Sequence, residues 1–167
     1  MIFKFKQFSI DQTNSPFKVG TDGVLAGALC PVNAPKNILD IGTGTGLIAL
    51  MLAQRCNAKI DAIEINQIAF NQAKHNFKNS PWVNKINVHH CALQNYNPGK
   101  KYAVIISNPP YFQSSLKSDV ESKNKARHTD SLTPTELVRI SAGLLSSTGK
   151  LCLIYPVEQG EKTIALA

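Results

Sequence analysis

The sequence of 167 residues has few of the features that mark membrane, secreted or metal-binding proteins. It contains no apolar run of the roughly 18 residues that a transmembrane helix needs, and its start, MIFKFKQFSI, lacks the apolar stretch of a signal peptide. The four cysteines lie far apart, without the close Cys or His spacing of a zinc site. We therefore expect a cytoplasmic protein with reduced thiols, no bound metal and no membrane contact.

Acidic residues are also scarce. The chain has 11 of them against 18 lysines and arginines, which gives a formal net charge of +7. A basic surface favours approach to phosphate groups, but many ordinary proteins are equally basic, so charge alone does not assign a nucleic-acid partner. At this length we expect one hydrophobic core, and we predict a single domain over residues 1–167.

Short apolar runs alternate with helical periodicity from residue 37 onward. The predicted strands are residues 37–41, 60–65, 86–91, 102–107 and 151–155, and the predicted helices are residues 47–55, 67–78 and 134–145. Strands that are nearly continuous apolar runs are typical of a parallel sheet covered on both faces. The prediction is an α/β fold with a doubly wound, mostly parallel sheet.

Residues 1–36 form an extension before this core of residues 37–167. Alternating apolar and polar side chains over residues 2–10 predict one half-buried strand, and residues 21–29 predict a short helix with Thr21 or Asp22 as its N-cap. A further helix is predicted to begin at residue 157, close to the end of the sequence. We expect that the last strands of such a sheet are missing from this chain.

The first core strand runs into a glycine-rich turn with the sequence Asp40-Ile41-Gly42-Thr43-Gly44-Thr45-Gly46. Alternate glycines let the backbone turn sharply and approach a ligand without a Cβ in the way. Glu64 closes the next strand, 18 residues beyond Gly46, where a carboxylate can accept hydrogen bonds from both ribose hydroxyls. Either feature alone is compatible with an ordinary turn or strand end, but together they favour a cofactor that contains adenosine.

Asp40 helps to decide which adenosine-containing cofactor the site would bind. Dinucleotide sites offer backbone N–H groups to a pyrophosphate, which a carboxylate just before the glycines would repel. The same carboxylate would attract the α-amino group of a methionine. The run D-x-G-x-G-x-G resembles motif I of class I methyltransferases, and the resemblance implies S-adenosylmethionine as the cofactor, with Asp40 at its methionine end.

A rigid turn, Asn108-Pro109-Pro110-Tyr111, follows the fourth core strand. The prolines donate no hydrogen bond and stiffen the turn, so the Asn108 amide oxygen and the Pro109 carbonyl are fixed acceptors. An NH2 group conjugated to a ring is a poor nucleophile, and two such acceptors would let its nitrogen pyramidalise toward the methyl donor. Tyr111 could stack on a flat base. A plain turn is the simpler interpretation, but the tetrapeptide resembles motif IV of the amino-methyltransferases.

The amino-terminal residues resemble a more specific family. Phe5-Lys6-Gln7-Phe8, Gln12 and the segment FKVGTDGVL at residues 17–25 resemble the opening of the bacterial tRNA1(Val) adenosine-37 methyltransferase family. The resemblance implies a Rossmann-like class I fold, a tRNA partner and 6-methyladenosine as the product. The expected cofactor contacts are Thr21, Asp22, Asp40, Gly42, Thr43, Gly44, Gly46, Glu64, Ile65, Ala92 and Asn108, and the expected catalytic residues are Asn108, Pro109, Pro110 and Tyr111. We expect a monomer or a weak homodimer.

One departure from the motif and several alternatives remain. Where related enzymes often have an Asp that binds adenine, this chain has Cys91-Ala92-Leu93, so we expect only a backbone contact at Ala92. The acceptor could instead be a glutamine amide in a release factor or the 2-amino group of guanine, and a cofactor-binding module without catalysis is also open. The basic residues after Tyr111 could hold RNA phosphates or simply be solvated; they are Lys117, Lys123, Lys125 and Arg127.

Overall fold

The computed structural model describes residues 1–16, 18–110 and 132–166. Its strands are β1 (Ile2–Lys4), β2 (Ser9–Asp11), β3 (Asn37–Ile41), β4 (Lys59–Glu64), β5 (Ile86–His90), β6 (Tyr102–Ser107) and β7 (Leu145–Leu153). Its helices are α1 (Thr21–Leu29), α2 (Leu47–Arg55), α3 (Gln67–Lys78), α4 (Pro134–Leu144) and α5 (Val157–Ile164). Within the described ranges, no helix is both long and apolar enough to cross a lipid bilayer.

Strands β3 to β7 form one parallel sheet in the spatial order β5-β4-β3-β6-β7. The chain moves outward from β3 to β4 and β5, and then returns to the other side of β3 with β6. This reversal opens a crevice beyond the carboxyl ends of β3 and β6, where open α/β sheets bind their ligands. The predicted doubly wound fold is confirmed, and it fixes the edge of the sheet at which a site is expected.

Apolar layers cover both faces of the sheet. On one face, Ile38 and Ile106 pack in a cluster with side chains of α2 and α3, and on the other face Leu39 and Ile105 pack with Leu137 of α4. Successive side chains of a strand point to opposite faces, so a strand in the middle of such a sheet is apolar at consecutive positions. This burial on both sides explains the continuous apolar runs in the sequence.

The prediction of a single strand over residues 2–10 was wrong, because β1 and β2 form an antiparallel hairpin. The turn is closed by the Phe5 N–H, which donates to the Phe8 carbonyl at 2.9 Å. Phe5 and Phe8 both pack against the core cluster although they are three residues apart, an offset that alternation along one strand does not allow. The alternation on either side of the turn hid this reversal.

Strand β7 begins six residues earlier than predicted, at Leu145 directly after α4. Residues 146–150 are Ser-Ser-Thr-Gly-Lys, which carry no apolar signal. Their pairing with β6 is irregular, with a register shift between Tyr102 and Val104. A polar, irregular strand start cannot be found from apolar periodicity alone.

Helix α1 packs closely on α2 through two glycines. A Cβ on Gly27 would lie 2.7 Å from the sulfur of Met51, and a Cβ on Gly23 would lie 3.1 Å from the Cδ2 atom of Leu47. The Arg55 guanidinium also donates to the Gly27 carbonyl at 2.6 Å. These contacts hold α1 against α2, whose first turn follows the glycine-rich turn.

Candidate active site

The glycine-rich turn is an open backbone surface at the carboxyl end of β3. Gly42, Gly44 and Gly46 have φ angles of 69°, 58° and 86°, a region that other residues seldom adopt. The N–H groups of Gly42 and Thr43 donate to the Ile63 carbonyl at 2.9 and 3.0 Å, which fixes the turn to β4. A Cβ on Gly42 would meet no atom within 4 Å. The turn therefore leaves space for a ligand to approach the backbone at Gly42.

Gly46 has a packing role in the same turn. A Cβ at this position would lie 2.4 Å from the Phe77 ring, and the Gly46 N–H already donates to the Thr43 carbonyl at 2.9 Å. Its α-carbon therefore faces α3 and not open space. A contact between Gly46 and the cofactor stays a prediction, as do the contacts predicted for Thr43 and Gly44.

Asp40 is fully buried beneath the turn. Its Oδ2 atom accepts a hydrogen bond from the Thr43 hydroxyl at 2.6 Å, whereas its buried Oδ1 atom has no hydrogen-bond partner among the described residues. Burial raises the pKa of Asp40 to about 7, although the Thr43 hydroxyl and the Ala49 N–H favour the charged form. A buried carboxylate oxygen that lacks a donor fits a ligand that brings a positive charge or a hydrogen-bond donor.

Glu64 joins the end of β4 to the glycine-rich turn. Its Oε2 atom accepts from the Gly44 N–H at 2.9 Å and its Oε1 atom accepts from the Asn66 N–H at 2.8 Å. Each oxygen of a carboxylate has a second lone pair, so these bonds leave capacity for ribose hydroxyls. The predicted ribose contact stays a prediction, but the carboxylate lies at the same edge of the sheet as the turn.

Beside Glu64, sequence reasoning missed a residue at the end of β5. His90 pairs in register with Glu64, and its Nε2 atom lies 2.9 Å from the Ile65 carbonyl oxygen. Its ring lies 5.2 Å from the ring of Phe70. His90 thus holds the backbone of Ile65, one of the predicted cofactor contacts. His90 could have been identified from the sequence by its place at the end of a predicted parallel strand, since residues that close such strands lie at the ligand-binding edge of the sheet.

The acceptor turn leaves the neighbouring strand at a matching position. Ser107, the last residue of β6, pairs with Ile41, the last residue of β3, and its hydroxyl donates to the Ile41 carbonyl at 2.8 Å. Asn108 and Gly42 are the next residues of their strands, so the two turns begin side by side. Asn108 and Pro109 are half-buried and Pro110 is exposed, whereas Tyr111 lies outside the described residues.

The first turn of α1 lies against the acceptor turn. A Cβ on Gly23 would be 4.0 Å from the Nδ2 atom of Asn108. Thr21 and Asp22, which precede Gly23, are exposed in the same turn of the helix. The expectation that either of them caps α1 was wrong, because Gly20 occupies the N-cap and no side chain caps the helix. Their predicted contact with the cofactor stays a prediction.

Two expectations are not resolved by this geometry. Ala92 lies just beyond β5 in an extended conformation before the turn Leu93–Asn95, and its backbone contact with the cofactor stays a prediction. The basic residues expected to hold RNA phosphates lie outside the described residues; they are Lys117, Lys123, Lys125 and Arg127. In the described ranges, no group of three or more His, Cys, Asp or Glu side chains is arranged to hold a metal ion.

Comparison with known proteins shows the family of this chain. The model of the methyltransferase small domain matches residues 19–166. The tRNA1(Val) (adenine(37)-N6)-methyltransferase of Flavobacterium psychrophilum is 46% identical over 170 residues, which cover 99% of this chain and 73% of that protein. The protein of the same name from Parabacteroides distasonis is 48% identical over 167 residues, which cover 99% of this chain and 70% of that protein.

A solved structure is similar in fold. A SAM-dependent methyltransferase from Thiobacillus denitrificans, in complex with S-adenosyl-L-homocysteine, matches with a TM-score of 0.59 at 16% identity, over 93% of this chain and 58% of that one. This likeness confirms the predicted Rossmann-like fold and carries no more than that. The family of the chain is shown by the sequence relatives, and it is the family that the amino-terminal segment resembles. The chain belongs to the methyltransferase small domain family and, within it, to the tRNA1(Val) (adenine(37)-N6)-methyltransferases.

Proposed function

We propose that the protein transfers a methyl group from S-adenosylmethionine to the 6-amino group of an adenine, with adenosine 37 of tRNA1(Val) as the substrate. One observation carries the proposal: the pairing of Ile41 with Ser107 places the glycine-rich turn and the Asn108 turn side by side. A donor held by the first turn and an amine held by the second would meet at the crevice of the sheet.

The residues of the glycine-rich turn suit this cofactor. When bound, S-adenosylmethionine supplies an electrophilic methyl group on a positively charged sulfur. Open space beside Gly42 admits a ligand to the backbone, and the unpaired Oδ1 atom of Asp40 suits a nearby ammonium group. Glu64 accepts a hydrogen bond from the Gly44 N–H, and its remaining lone pairs suit the ribose hydroxyls.

Asn108 and Pro109 would make the substrate nitrogen reactive. The amine of adenine is planar and shares its lone pair with the ring. Two carbonyl acceptors that bind its N–H groups would favour a pyramidal nitrogen and stabilise the positive charge that develops on it during transfer. No strong base is required before the nitrogen attacks, because the amine loses its proton after the new bond forms.

The choice of tRNA rests on the relatives and on charge. Proteins named for tRNA1(Val) and adenine 37 are 46% and 48% identical to this chain over nearly its whole length. The excess of basic residues suits a polyanionic substrate. The acceptor turn alone does not select RNA, since a glutamine amide could use the same two carbonyl acceptors.

A methyl-transfer assay with three acceptors tests the proposal. The protein and cofactor with a labelled methyl group are incubated with a transcript of tRNA1(Val), with the same transcript carrying guanosine at position 37, and with a release factor. We expect label only in the first acceptor, recovered as 6-methyladenosine. Label in the release factor, or equal label in both transcripts, would refute the proposed substrate.

A further inference from the structure

A groove separates the β1–β2 hairpin from the last turn of α3. We call it the hairpin groove, and its lining includes Phe5, Lys6, Gln7, Ser9, His75 and Asn79. It lies outside the crevice between the glycine-rich turn and Asn108. Nothing in the proposed chemistry requires it.

A row of aromatic rings in mutual contact includes Phe5 of the groove and ends at an exposed ring, Phe3. Phe5 and Phe8 stack with centroids 4.6 Å apart, and the Phe3 ring lies 5.0 Å from Phe5. The inner end of the row is fixed by Trp82, whose ring meets the Phe8 ring edge-on at 5.7 Å. Phe3 is 44% exposed and the neighbouring Ile2 is 59% exposed. An exposed ring on a supported row of aromatics is a platform on which a base can stack.

Exposed basic side chains flank the aromatic row. Lys4 and Lys6 lie on the hairpin, and His75 and Lys78 lie on the last turn of α3. The carboxylate that lines the groove, Asp11, accepts two hydrogen bonds from Thr13, at 2.6 and 2.9 Å. Basic residues interleaved with exposed aromatic rings are typical of single-stranded nucleic-acid surfaces.

The hairpin is fixed relative to the active site by Asn76 of α3. The side chain of Asn76 accepts from the Asp11 N–H at 3.0 Å and donates to the Asp11 carbonyl at 2.9 Å. It also donates to the carbonyl of Thr45, within the glycine-rich turn, at 2.8 Å. A single buried side chain therefore ties the hairpin to the cofactor turn, so RNA held in the groove has a defined position relative to that turn.

We infer that the hairpin groove binds a single-stranded part of the substrate RNA that flanks the methylated adenosine. A base stacks on Phe3, which lies outside the groove lining but in contact with the Phe5 ring, while Lys6 in the lining and Lys4 on β1 contact backbone phosphates. The inference rests on the proposed function, because it assigns a second contact to the same RNA. An acidic protein would also be attracted by the lysines, but its carboxylates would make no stacking contact with the exposed Phe3 ring.

Binding of the whole chain to a fluorescent transcript of tRNA1(Val), measured at several salt concentrations, tests the inference. The double variant Lys4→Glu, Lys6→Glu removes two phosphate contacts, so we expect binding at least about tenfold weaker. The slope of log affinity against log salt should fall by about 1 to 1.5, since each single-strand phosphate contact contributes about 0.7. The matched control is Lys36→Glu with Lys59→Glu, which makes the same charge change where β3 and β4 begin. The control should bind within about twofold of the parent.

The aromatic contact has its own variants. Phe3→Leu should weaken RNA binding by about fivefold or more without changing the salt slope, because stacking involves no counterion release. Phe3→Tyr keeps the ring and should bind like the parent. Equal binding by Phe3→Leu and the parent would overturn the stacking contact.

Methylation of the same transcript separates the two proposals. If the parent transfers methyl groups and the lysine pair binds RNA as its control does, the groove inference is wrong and the proposed function stands. If the parent binds the transcript but never methylates it, the proposed function fails, while the binding data still decide the groove. Preferential binding of polyglutamate over RNA by the parent, lost in the lysine pair, would overturn the inference in favour of an acidic protein partner.

Discussion

Asp40 combines complete burial with an incomplete set of hydrogen bonds. An unpaired buried oxygen is costly, which suits a site where a ligand brings the missing donor. The sequence identified Asp40 from its place before the glycines, but it could not reveal that Thr43 would occupy one of its oxygens. That bond depends on the fold of the turn and not on the spacing of residues.

The raised pKa of Asp40 predicts a pH dependence of stability. Its folded pKa, about 7, lies above its ordinary value of 3.8, so the folded protein holds a proton that the unfolded chain releases. The contribution of Asp40 to the free energy of unfolding is therefore greatest below pH 4 and is lost as the pH rises toward 7. Denaturant unfolding of the parent and of Asp40→Asn, at pH 4.5 and pH 7, measures this. The parent should lose stability relative to the variant at the higher pH, and a constant difference would contradict it.

Gly42 offers a second test at the scale of one residue. Gly42→Ala places a Cβ in the space left for the cofactor, and we expect it to weaken S-adenosylmethionine binding by tenfold or more. Gly99→Ala is the matched control, because Gly99 has a similar φ of 65°, against 69° for Gly42, and equally open surroundings.

Both alanine variants should lose about 1–2 kcal/mol of stability from the left-handed backbone. Isothermal titration with the cofactor separates that shared cost from the loss of binding. If the Gly99 variant loses affinity as much as the Gly42 variant, the loss is not local to the turn.

At the scale of elements, the sequence predicted what apolar periodicity encodes. The five strands of the central sheet and the helices from α1 to α4 were found because each has an apolar face or run. The hairpin was missed because the alternation on either side of its turn hid the reversal, and the polar start of β7 was missed because its pairing depends on β6, which is distant in sequence. The pairing of Ile41 with Ser107 was likewise not contained in either segment, since register is set by the packing of the whole sheet.

The packing of α1 on α2 gives a prediction about stability. Gly27→Ala would place a Cβ 2.7 Å from the Met51 sulfur and 2.9 Å from the Met51 Cβ; the side chain can move its sulfur but not its Cβ, so the two helices must shift apart. Such overpacking costs about 1–3 kcal/mol, which exceeds the gain in helix propensity of about 1 kcal/mol. We expect a lower free energy of unfolding in urea.

The control for this change is Gly143→Ala in α4, where an added Cβ meets no atom within 4 Å. That variant should be unchanged or more stable by up to about 1 kcal/mol, because alanine favours the helix. A Gly27 variant as stable as the Gly143 variant would show that α1 is not held tightly against α2.

At the scale of the whole molecule, the residues chosen from sequence converge on one edge of one sheet. The predicted family is confirmed by relatives that are 46% and 48% identical to the chain, which spans about 70% of their length, and the predicted fold is confirmed by the order and direction of the strands. The assignment of residues 1–167 to a single domain and the oligomeric state stay predictions. The hairpin groove was not foreseen, because it combines residues of the β1–β2 hairpin with residues at the end of α3, more than 60 positions later in the sequence.

Whether the two turns act on one reacting pair is tested most sharply by the rate of methyl transfer of Asn108→Ala at saturating cofactor, with cofactor affinity measured in parallel. Removing one acceptor that acts on the developing charge should lower the rate by about a hundredfold or more, a much larger factor than the accompanying loss of cofactor affinity. In the companion variant Glu64→Ala, the main effect should be a weaker affinity for the cofactor. A rate for Asn108→Ala within a few fold of the parent would contradict the claim that the two turns act on one reacting pair.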